Sequence, residues 1–537
     1  MNERSAESAE VLVIGGGISG LALALAAARQ GLRVTVLEAD DFGGGATANS
    51  LRIVHGGLRY LQTLNVRRAR RSIRARRDLM KLAPDVIRPI ECRIPLSTWG
   101  VRSRVPLTIA CLLADALGWD KNAGLAENDR LPGSNVWTPV SLYPDSVSTE
   151  KTPAIGWWDA VLSQPHRLIA TLVRQCDSLG VSLVNHARVT ELVVDTDNRV
   201  SGARYQRIGE SSSTLLRCRV VVDVAGHGGR LFRRRIGSLR PVCDWVGAAN
   251  FLLDEQTSGS CAIGLRVRER NGANDGAEKL GKKRDFFFVP TPSGVLAGTT
   301  YTHVEPDSEI NAVLTLAYEQ LLDEISRARA DRAISTSDVR HFFWGLLPAA
   351  SRGAGSASSR LLSRDIVIDG TKEFGLAGYI RVQGVKLTTA FELASRVVPL
   401  LQQYHSKDDS DEPVGLPELA TTTVAETPAV LSLDTPSAVK LTLESMESDD
   451  VRDLVRHCVH HEYALTLEDL LQRRLGLLPF DYPGEPLRRR LAEHMARLLS
   501  WDDSRTTQEL RHAESVHTQD PLNSFALAAS SAMGVGL

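Results

Sequence analysis

Apolar and polar positions near the start of the chain predict a strand, a turn, a helix and a second strand. Residues 11–14 are Val-Leu-Val-Ile, an apolar run typical of a parallel strand that is buried on both faces. Residues 21–30 are rich in Ala and Leu, which favour a helix, and Gly31 stands where a helix C-cap belongs. Val34–Leu37 follows as a second apolar run. This part of the chain is therefore predicted to form a βαβ unit.

The turn between the first strand and the helix has the glycine spacing of a dinucleotide-binding site. In this pattern Gly15 makes the tight turn, Gly17 lets the backbone approach a pyrophosphate, and Gly20 lets the helix pack closely on the strand. The helix N-terminus supplies N–H groups for the anion. Glu38 ends the second strand, 18 residues after Gly20, where a carboxylate can bind ribose hydroxyls and would repel the 2'-phosphate of NADP.

Length and composition restrict the class of protein. A chain of 537 residues has room for two or three domains, and 43% apolar residues with 24% charged residues are typical of a globular protein. The net charge of -1 argues against nucleic acid as a partner. Seven scattered cysteines without a C-x-x-C pair argue against a zinc site and a disulfide framework. The first residues of the sequence lack the basic segment of an export signal. We expect a cytoplasmic protein without a bound metal.

A second signature follows Glu38. The segment 41–61 contains a small-residue loop, Gly-Gly-Gly-Ala-Thr-Ala-Asn-Ser, and then the run His-Gly-Gly-Leu-Arg-Tyr-Leu. It resembles the second signature of the FAD-dependent glycerol-3-phosphate dehydrogenases, which are members of the D-amino-acid-oxidase-like superfamily. The resemblance implies that FAD is the cofactor, and that the loop and the His-Gly-Gly turn lie against the flavin and its phosphates. It also implies that Arg59 and Tyr60 face the substrate.

Further segments resemble the same family in the same order along the chain. They are 158–168, 187–190, 221–226, 298–302, 384–389 and, for the helical C-terminal domain of the family, 461–474. The resemblance implies a cofactor site formed by Gly15, Gly17, Gly20, Glu38, Ala39, Thr47, Ser50, Arg52, Gly56, Gly57, Val189, Ala225, Gly226, Gly384, Lys386, Leu387 and Thr388. Lys386 is also expected near the substrate.

The resemblance implies the fold class as well. We expect an α/β protein with a Rossmann-like FAD-binding domain (a parallel sheet with a β-meander), an antiparallel-sheet substrate domain and an α-helical C-terminal domain. The expected limits are 9–85, 155–245 and 350–403 for the FAD-binding domain, 86–154 and 246–349 for the substrate domain, 404–445 for a linker rich in Asp, Ser, Thr and Pro, and 446–515 for the helical domain.

The reaction implied by the resemblance is oxidation of a secondary alcohol, namely sn-glycerol 3-phosphate to dihydroxyacetone phosphate, with electrons passed to a quinone or another acceptor. Lys386 or Arg59 would stabilise the developing alkoxide, and Tyr60 would face the substrate. His55 is a candidate base, but a histidine beside two glycines is also explained as a residue that shapes the turn. A surface lysine that caps a helix is the alternative for Lys386.

The substrate side departs from the family pattern. Leu347 stands where the family carries the arginine that binds the substrate phosphate, and the segment 244–251 lacks the usual Lys-Gly-x-His. Arg59, Lys386 and Arg352 are the cations that remain for an anionic substrate. Two alternatives therefore stay open, namely a flavoenzyme for another hydroxy or amino compound, and a catalytically silent FAD-binding sensor or scaffold.

Two segments bear on membrane association. The basic run 67–77 is expected to be a solvated helix face, with attraction to anionic lipid as the alternative. The apolar segment 107–117 is expected to be an internal helix, with contact to a bilayer as the alternative. Peripheral association with the inner face of the plasma membrane is thus an alternative to a purely cytoplasmic location.

Overall fold

The computed structural model of the chain describes residues 7–61, 65–97, 100, 103–134, 139–140, 152–234, 236, 239–255, 260–267, 285–305, 309–329, 331–350, 357–404, 427–478 and 480–518. Its strands are Glu7–Ile14 (β1), Val34–Leu37 (β2), Ile53–Val54 (β3), Ile87–Pro95 (β4), Pro139–Val140 (β5), Thr152–Leu162 (β6), Ser182–Val184 (β7), Ala187–Val194 (β8), Val200–Arg207 (β9), Thr214–Asp223 (β10), Asp244–Leu253 (β11), Cys261–Arg266 (β12), Asp285–Thr291 (β13), Gly294–Val304 (β14), Val339–Ala349 (β15), Ile366–Asp369 (β16) and Tyr379–Gln383 (β17).

The α-helices among these residues are Ile18–Ala28 (α1), Leu58–Leu61 (α2), Val66–Leu82 (α3), Arg104–Leu117 (α4), Pro165–Ser178 (α5), Arg230–Arg234 (α6), Ile310–Ala328 (α7), Ala357–Arg360 (α8), Gly370–Phe374 (α9), Ala390–Gln402 (α10), Pro436–Ser445 (α11), Ser448–His460 (α12), Glu485–Leu499 (α13) and Asp503–Thr518 (α14). A π-helical segment, Asp469–Arg474, lies between α12 and α13. In the described part of the chain, no helix is both long enough and apolar enough to cross a membrane.

The first sheet contains the predicted βαβ unit. Its strand order is β16-β17-β10-β1-β2-β7, and β1 runs parallel to both β2 and β10. The strands β8 and β9 form an antiparallel meander on β10. Helix α1 packs against α5 and α10 on one face of this sheet, so that the apolar residues of β1 and β2 are buried as the sequence pattern predicts. The carboxyl ends of β1, β2, β10 and β17 face one crevice, the usual ligand site of such sheets.

The second sheet is largely antiparallel. Its order is β15-β11-β14-β13-β12-β4-β6-β3, with a parallel pair of β12 and β4. One face packs on α7 around Phe251, Phe342 and Trp344. The opposite face of β15 turns toward the loop that follows β2, because a Cβ at Gly345 would lie 3.3 Å from Ala46. Two sheets and a helical C-terminal region confirm the predicted fold class.

The helical C-terminal region has a core of its own. Val439 and Leu443 of α11 pack with residues of α12, α13 and the π-helical segment. This region therefore extends into the predicted linker, because α11 buries an apolar face there. Residues 405–426 of the linker and Arg352 lie outside the described residues, and the domain limits otherwise stay a prediction.

All seven cysteines are free.

The two surface segments differ from the expectations. The basic run forms α3, but the interpretation as a solvated face is wrong for Arg70, Arg76 and Arg77, which bind Asp120 or Asp159 inside the fold. The apolar segment lies in α4, which is not an internal helix as expected. It buries Leu107 and Cys111 but exposes an apolar outer face, because only one side of the helix packs on the protein.

Candidate active site

The glycine turn has the geometry of a pyrophosphate cradle. Gly15 has a φ of +114°, and a Cβ there would lie 2.8 Å from the backbone of Ala225 at the end of β10. A Cβ at Gly20 would collide with the Gly15 carbonyl oxygen, so only glycine lets α1 begin this close to β1. Gly17 is the N-cap of α1 and offers no side chain to its N–H groups. This end of α1 can therefore donate backbone hydrogen bonds to an anion.

Glu38 lies at this turn, as the spacing predicts. Its carboxylate accepts the Gly16 N–H at 2.6 Å and the Asp40 N–H at 3.0 Å. Burial, reinforced by the nearby charge of Asp40, raises the pKa of Glu38 above its ordinary value. The carboxylate is held beside the turn by two backbone donors, in the position that suits a ribose. Ala39 directly follows Glu38 in the chain. Val189 lies on the neighbouring strand β8, and the Ala187 N–H at the start of that strand donates to the Glu38 carbonyl at 2.8 Å.

The small-residue segment 41–50, here called the cradle loop, closes over the start of α1. The Ile18 N–H donates to Thr47 Oγ1 at 3.2 Å, and the Asn250 side chain of β11 donates to the Asn49 carbonyl at 3.1 Å. Ser50 ends the loop and accepts the Arg52 N–H at 3.4 Å. The loop thus joins the glycine turn to the second sheet.

Two more predicted segments return to the same point. Gly226 follows Ala225 at the end of β10, with a φ of +53°. A Cβ at Gly384, just after β17, would lie 2.7 Å from Ser19 Oγ at the start of α1. Lys386 follows, and Leu387 and Thr388 form a short 3-10 turn. The backbone of several segments thus approaches the glycine turn closely, and the N-terminal end of α1 points its helix dipole at the same place, which fits a bound dinucleotide.

Arg52 differs from this group. Its guanidinium stacks 5.4 Å from the centre of the Phe343 ring and 5.9 Å from that of Phe480, and it donates to the Ser163 carbonyl at 3.3 Å. Burial lowers the pKa of Arg52 to about 10. These contacts place the Arg52 side chain against the second sheet and the C-terminal region, and its predicted role in cofactor binding stays a prediction.

A buried carboxylate organises the His-Gly-Gly turn. Asp159 of β6 accepts the Gly56 N–H at 2.6 Å, the Trp157 indole N–H at 3.0 Å and an Arg76 N–H at 2.5 Å, and it lies 3.2 Å from His55 Nδ1. Burial alone would raise the pKa of Asp159, but the hydrogen bond with His55 and the charge of Arg76 hold it below its ordinary value. His55 is therefore oriented by an ionised partner, while its side chain stays 49% exposed.

The turn leads into α2 and to a pair of cations. Gly57 has a φ of +97°, where a side chain would be strained. The Tyr60 ring has Lys386 Nζ 4.4 Å from its centre and the Arg68 guanidinium carbon 4.3 Å from it. Tyr60 and Lys386 are thus brought together from distant parts of the sequence. Arg59 directly precedes Tyr60 in α2, but its side chain is outside the described residues.

Leu347 stands on the face of β15 that turns toward the cradle loop. It pairs with Val246 of β11 and shares its side of the strand with Gly345, which approaches Ala46. The end of this face carries another cation, because Arg360 donates to Asp244 at 2.7 Å and lies 3.0 Å from His303 Nδ1. Sequence reasoning missed Arg360, which reaches this face only through the fold.

Sequence reasoning also missed a buried anchor at the end of β10. Asp223 accepts two hydrogen bonds from Arg233, at 2.5 and 2.6 Å, and one from the Tyr379 hydroxyl at 2.6 Å. Burial would raise the pKa of Asp223, but the charge of Arg233 holds it below its ordinary value. An acid at the end of a buried strand, just before Ala225 and Gly226, was the signal that could have identified it.

Comparison with known proteins identifies two family models along the chain. The model described as FAD dependent oxidoreductase matches residues 10–390, and the model described as C-terminal domain of alpha-glycerophosphate oxidase matches residues 425–506. The first covers the two sheets, and the second covers the helical C-terminal region.

Named relatives are similar over most of the chain. A glycerol-3-phosphate dehydrogenase of Synechocystis sp. is 24% identical over 72% of this chain and 69% of its own length. The mitochondrial glycerol-3-phosphate dehydrogenase of Mus musculus is 25% identical over 94% of this chain and 72% of its own length. The solved structure of a glycerol-3-phosphate dehydrogenase from Bacillus halodurans, complexed with FAD, shares the fold with a TM-score of 0.59 at 17% identity, over 96% of this chain and 95% of that one.

Proposed function

Because the chain belongs to the FAD-dependent oxidoreductase family, and FAD is its cofactor, we propose that it oxidises sn-glycerol 3-phosphate to dihydroxyacetone phosphate. The observation that carries this proposal is the pairing of Lys386 with Tyr60 beside the cradle. Lys386 and Arg68 each contact the Tyr60 ring, cations there suit an anionic substrate, and the names of the relatives indicate which anion. Membership in a family of oxidoreductases favours an enzyme over a silent sensor.

The residues of the chain have separate tasks in this reaction. Bound FAD supplies the hydride acceptor. Lys386 stabilises negative charge on the substrate oxygen as the hydride leaves, and Tyr60 holds the Lys386 side chain in place. His55, oriented by the Asp159 carboxylate, takes the hydroxyl proton at the nitrogen that does not face Asp159. The glycine turn, Glu38 and Thr47 hold the cofactor so that the reacting carbon meets it in one geometry.

Anaerobic reduction of the purified holoenzyme tests this proposal. We expect glycerol 3-phosphate to bleach the visible absorption of the flavin within seconds and to yield dihydroxyacetone phosphate, while glycerol leaves the absorption unchanged. The Lys386→Met variant, with FAD still bound, is the matched control for the cation and should bleach far more slowly. Failure of glycerol 3-phosphate to reduce a fully loaded wild-type enzyme would refute the proposal.

A second candidate substrate class is favoured by Leu347. Its apolar side chain lies on the face of β15 that turns toward the cradle loop, where a phosphate would gain no hydrogen bond from it. Another hydroxy or amino compound with a smaller or less charged end would fit this face. A panel of hydroxy acids, amino acids and polyols in the same bleaching assay decides between the two, since only one class should reduce the flavin quickly.

The electron acceptor is proposed to be a quinone, reached at an anionic lipid surface through α4. Val105, Ile109, Leu112 and Leu113 are exposed on one side of this helix, and the Trp119 side chain beyond its end is 81% exposed. Arg67 and Arg74 share a face of α3 with Arg70, which donates to the Leu117 carbonyl at 2.8 Å. Apolar side chains flanked by arginines suit a helix that lies in an anionic lipid interface.

Vesicle sedimentation tests this surface. We expect the holoenzyme to bind phosphatidylcholine vesicles that contain phosphatidylglycerol, and to bind pure phosphatidylcholine vesicles more weakly. Ile109→Glu should reduce binding by about tenfold or more, since it places a charge in the apolar face. Leu441→Glu, on the exposed side of α11, is the matched control and should bind like the wild type. Equal binding by both variants would refute α4 as the contact.

A further inference from the structure

The helical C-terminal region meets the nucleotide-binding sheet through buried charges. Arg474 donates two hydrogen bonds to the Asp41 carboxylate, at 2.7 and 2.8 Å, and one to the Glu462 carbonyl at 2.7 Å. Both side chains of the ion pair are almost fully buried. The charge of Arg474 outweighs the effect of burial and holds the pKa of Asp41 below its ordinary value. A buried, bidentate pair of this kind fixes the two segments in one relative position.

Asp41 is the first residue of the cradle loop, and the next two residues touch the glycine turn directly. The Phe42 N–H donates to the Asp41 carboxylate at 2.8 Å, and its ring packs against Gly16, where a Cβ would collide with it. The Gly43 N–H donates to the Gly16 carbonyl at 3.0 Å. On its other side the Phe42 ring meets Tyr463 of the C-terminal region edge to face, with centres 6.2 Å apart. This stretch of loop therefore lies between the C-terminal region and the turn.

The neighbouring arginine contacts the next part of the loop. Arg473 Nε lies 3.4 Å from the Asp41 carboxylate, and a Cβ at Gly44 would lie 3.2 Å from Arg473 Nη1. Three residues further on, Thr47 accepts the Ile18 N–H at the start of α1. The loop is thus held by C-terminal arginines at its beginning and meets the anion-binding end of α1 further along.

We propose that Arg474 is a positioning residue for FAD, and that the C-terminal region is a structural part of the cofactor site. By holding Asp41, it keeps Phe42 and Gly43 on the glycine turn and Thr47 over the start of α1. The cofactor is therefore retained tightly only when the C-terminal region is docked. The inference depends on FAD binding alone and does not require that glycerol 3-phosphate is the substrate.

A metal ion is a weaker explanation of this cluster. Asp41, His186 and Asp469 place ligand atoms within 4.8 Å of one another. However, Asp41 is already neutralised by Arg474, and His186 Nε2 lies 2.8 Å from Asp469. A cation would have to displace Arg473 and Arg474 from the carboxylate, which Coulomb repulsion opposes.

The test is reconstitution of apoprotein with FAD, followed by flavin fluorescence. We expect Arg474→Met to raise the dissociation constant of FAD by about tenfold or more, because the loop is no longer held on the turn. Arg174→Met is the matched control, since Arg174 belongs to the same buried cluster but donates to Glu462 at 3.1 Å and not to the loop. It should lower the melting temperature of the apoprotein while FAD affinity stays within about threefold.

Two further variants keep the test informative if Arg474→Met does not fold. Arg474→Lys retains the charge but loses the bidentate geometry, and should give an intermediate loss of affinity. Asp41→Asn should weaken FAD binding as well, and combining it with Arg474→Lys should add little to the loss, because both act through one contact. Wild-type FAD affinity in a folded Arg474→Lys protein, or equal losses in the Arg474 and Arg174 variants, would overturn the proposal.

Discussion

The Lys386 ammonium lies 4.4 Å from the centre of the Tyr60 ring, although one residue follows β17 and the other lies in α2. A cation in contact with an aromatic face is attracted by the electron-rich ring and is held in one orientation. The contact joins α2 to the segment that follows β17. It holds one positive charge in a fixed place, where the proposed reaction can use it.

Removing that charge should affect catalysis more than cofactor binding. For Lys386→Met we expect kcat/KM with glycerol 3-phosphate to fall by about 100- to 1000-fold, because a group that stabilises developing negative charge is lost. Lys386→Arg keeps the cation and should recover part of the rate. Steady-state kinetics on protein with a measured FAD content provide the readout. A variant with wild-type kcat/KM would contradict the assigned role.

An arginine at position 347 should improve phosphate binding. Leu347→Arg places a guanidinium on the face of β15 that turns toward the cradle loop, and we expect the KM for glycerol 3-phosphate to fall by about tenfold or more. Leu347→Met preserves volume without charge and serves as the control. If both variants behave alike, Leu347 does not face the substrate phosphate.

Glu38 should govern FAD affinity. We expect Glu38→Gln to weaken FAD binding by about tenfold, because the charged acceptor beside the turn becomes a neutral amide. Asp40→Asn changes a neighbouring acid whose partner is Arg188 on the surface, and it should leave affinity near the wild-type value. Titration of each apoprotein with FAD measures both. Equal affinities for all three proteins would remove Glu38 from the site.

The buried carboxylates should make the protein acid-sensitive. Burial alone would raise the pKa of Glu462, but the charge of Arg167, the neighbouring His457 and two hydrogen bonds from Arg167 hold it far below its ordinary value of 4.5. A depressed pKa in the folded state stabilises the protein above the unfolded pKa. That stabilisation is lost as the pH falls, since the unfolded chain takes up the proton first.

Denaturant unfolding between about pH 5 and pH 3 measures this effect. We expect the free energy of unfolding to fall by up to about 1.4 kcal/mol per pH unit for each such carboxylate. Glu462→Gln should be less stable at neutral pH but show a shallower slope in this window. An unchanged slope would mean that Glu462 titrates alike in the folded and unfolded states.

Local patterns determined the nucleotide-binding part of this protein. The apolar runs, the three glycines and Glu38 lie within 30 residues, and a βαβ unit follows from them because its turn requires backbone that only glycine permits. The apolar run Val34–Leu37 forms β2, which ends one residue before Glu38. The prediction that Glu38 reaches the turn holds for the same reason, since strand and helix lengths set that distance.

The tertiary structure alone decided which distant side chains meet. Asp41 and Arg474, Asp159 and Arg76, and Lys386 and Tyr60 come together through sheet order and helix packing, which no local period encodes. For the same reason, the run of arginines in α3 has the sequence pattern of a solvated face, although Asp120 and Asp159 neutralise part of it. Local backbone requirements can be read along the chain, whereas the partner of a buried charge depends on the fold that surrounds it.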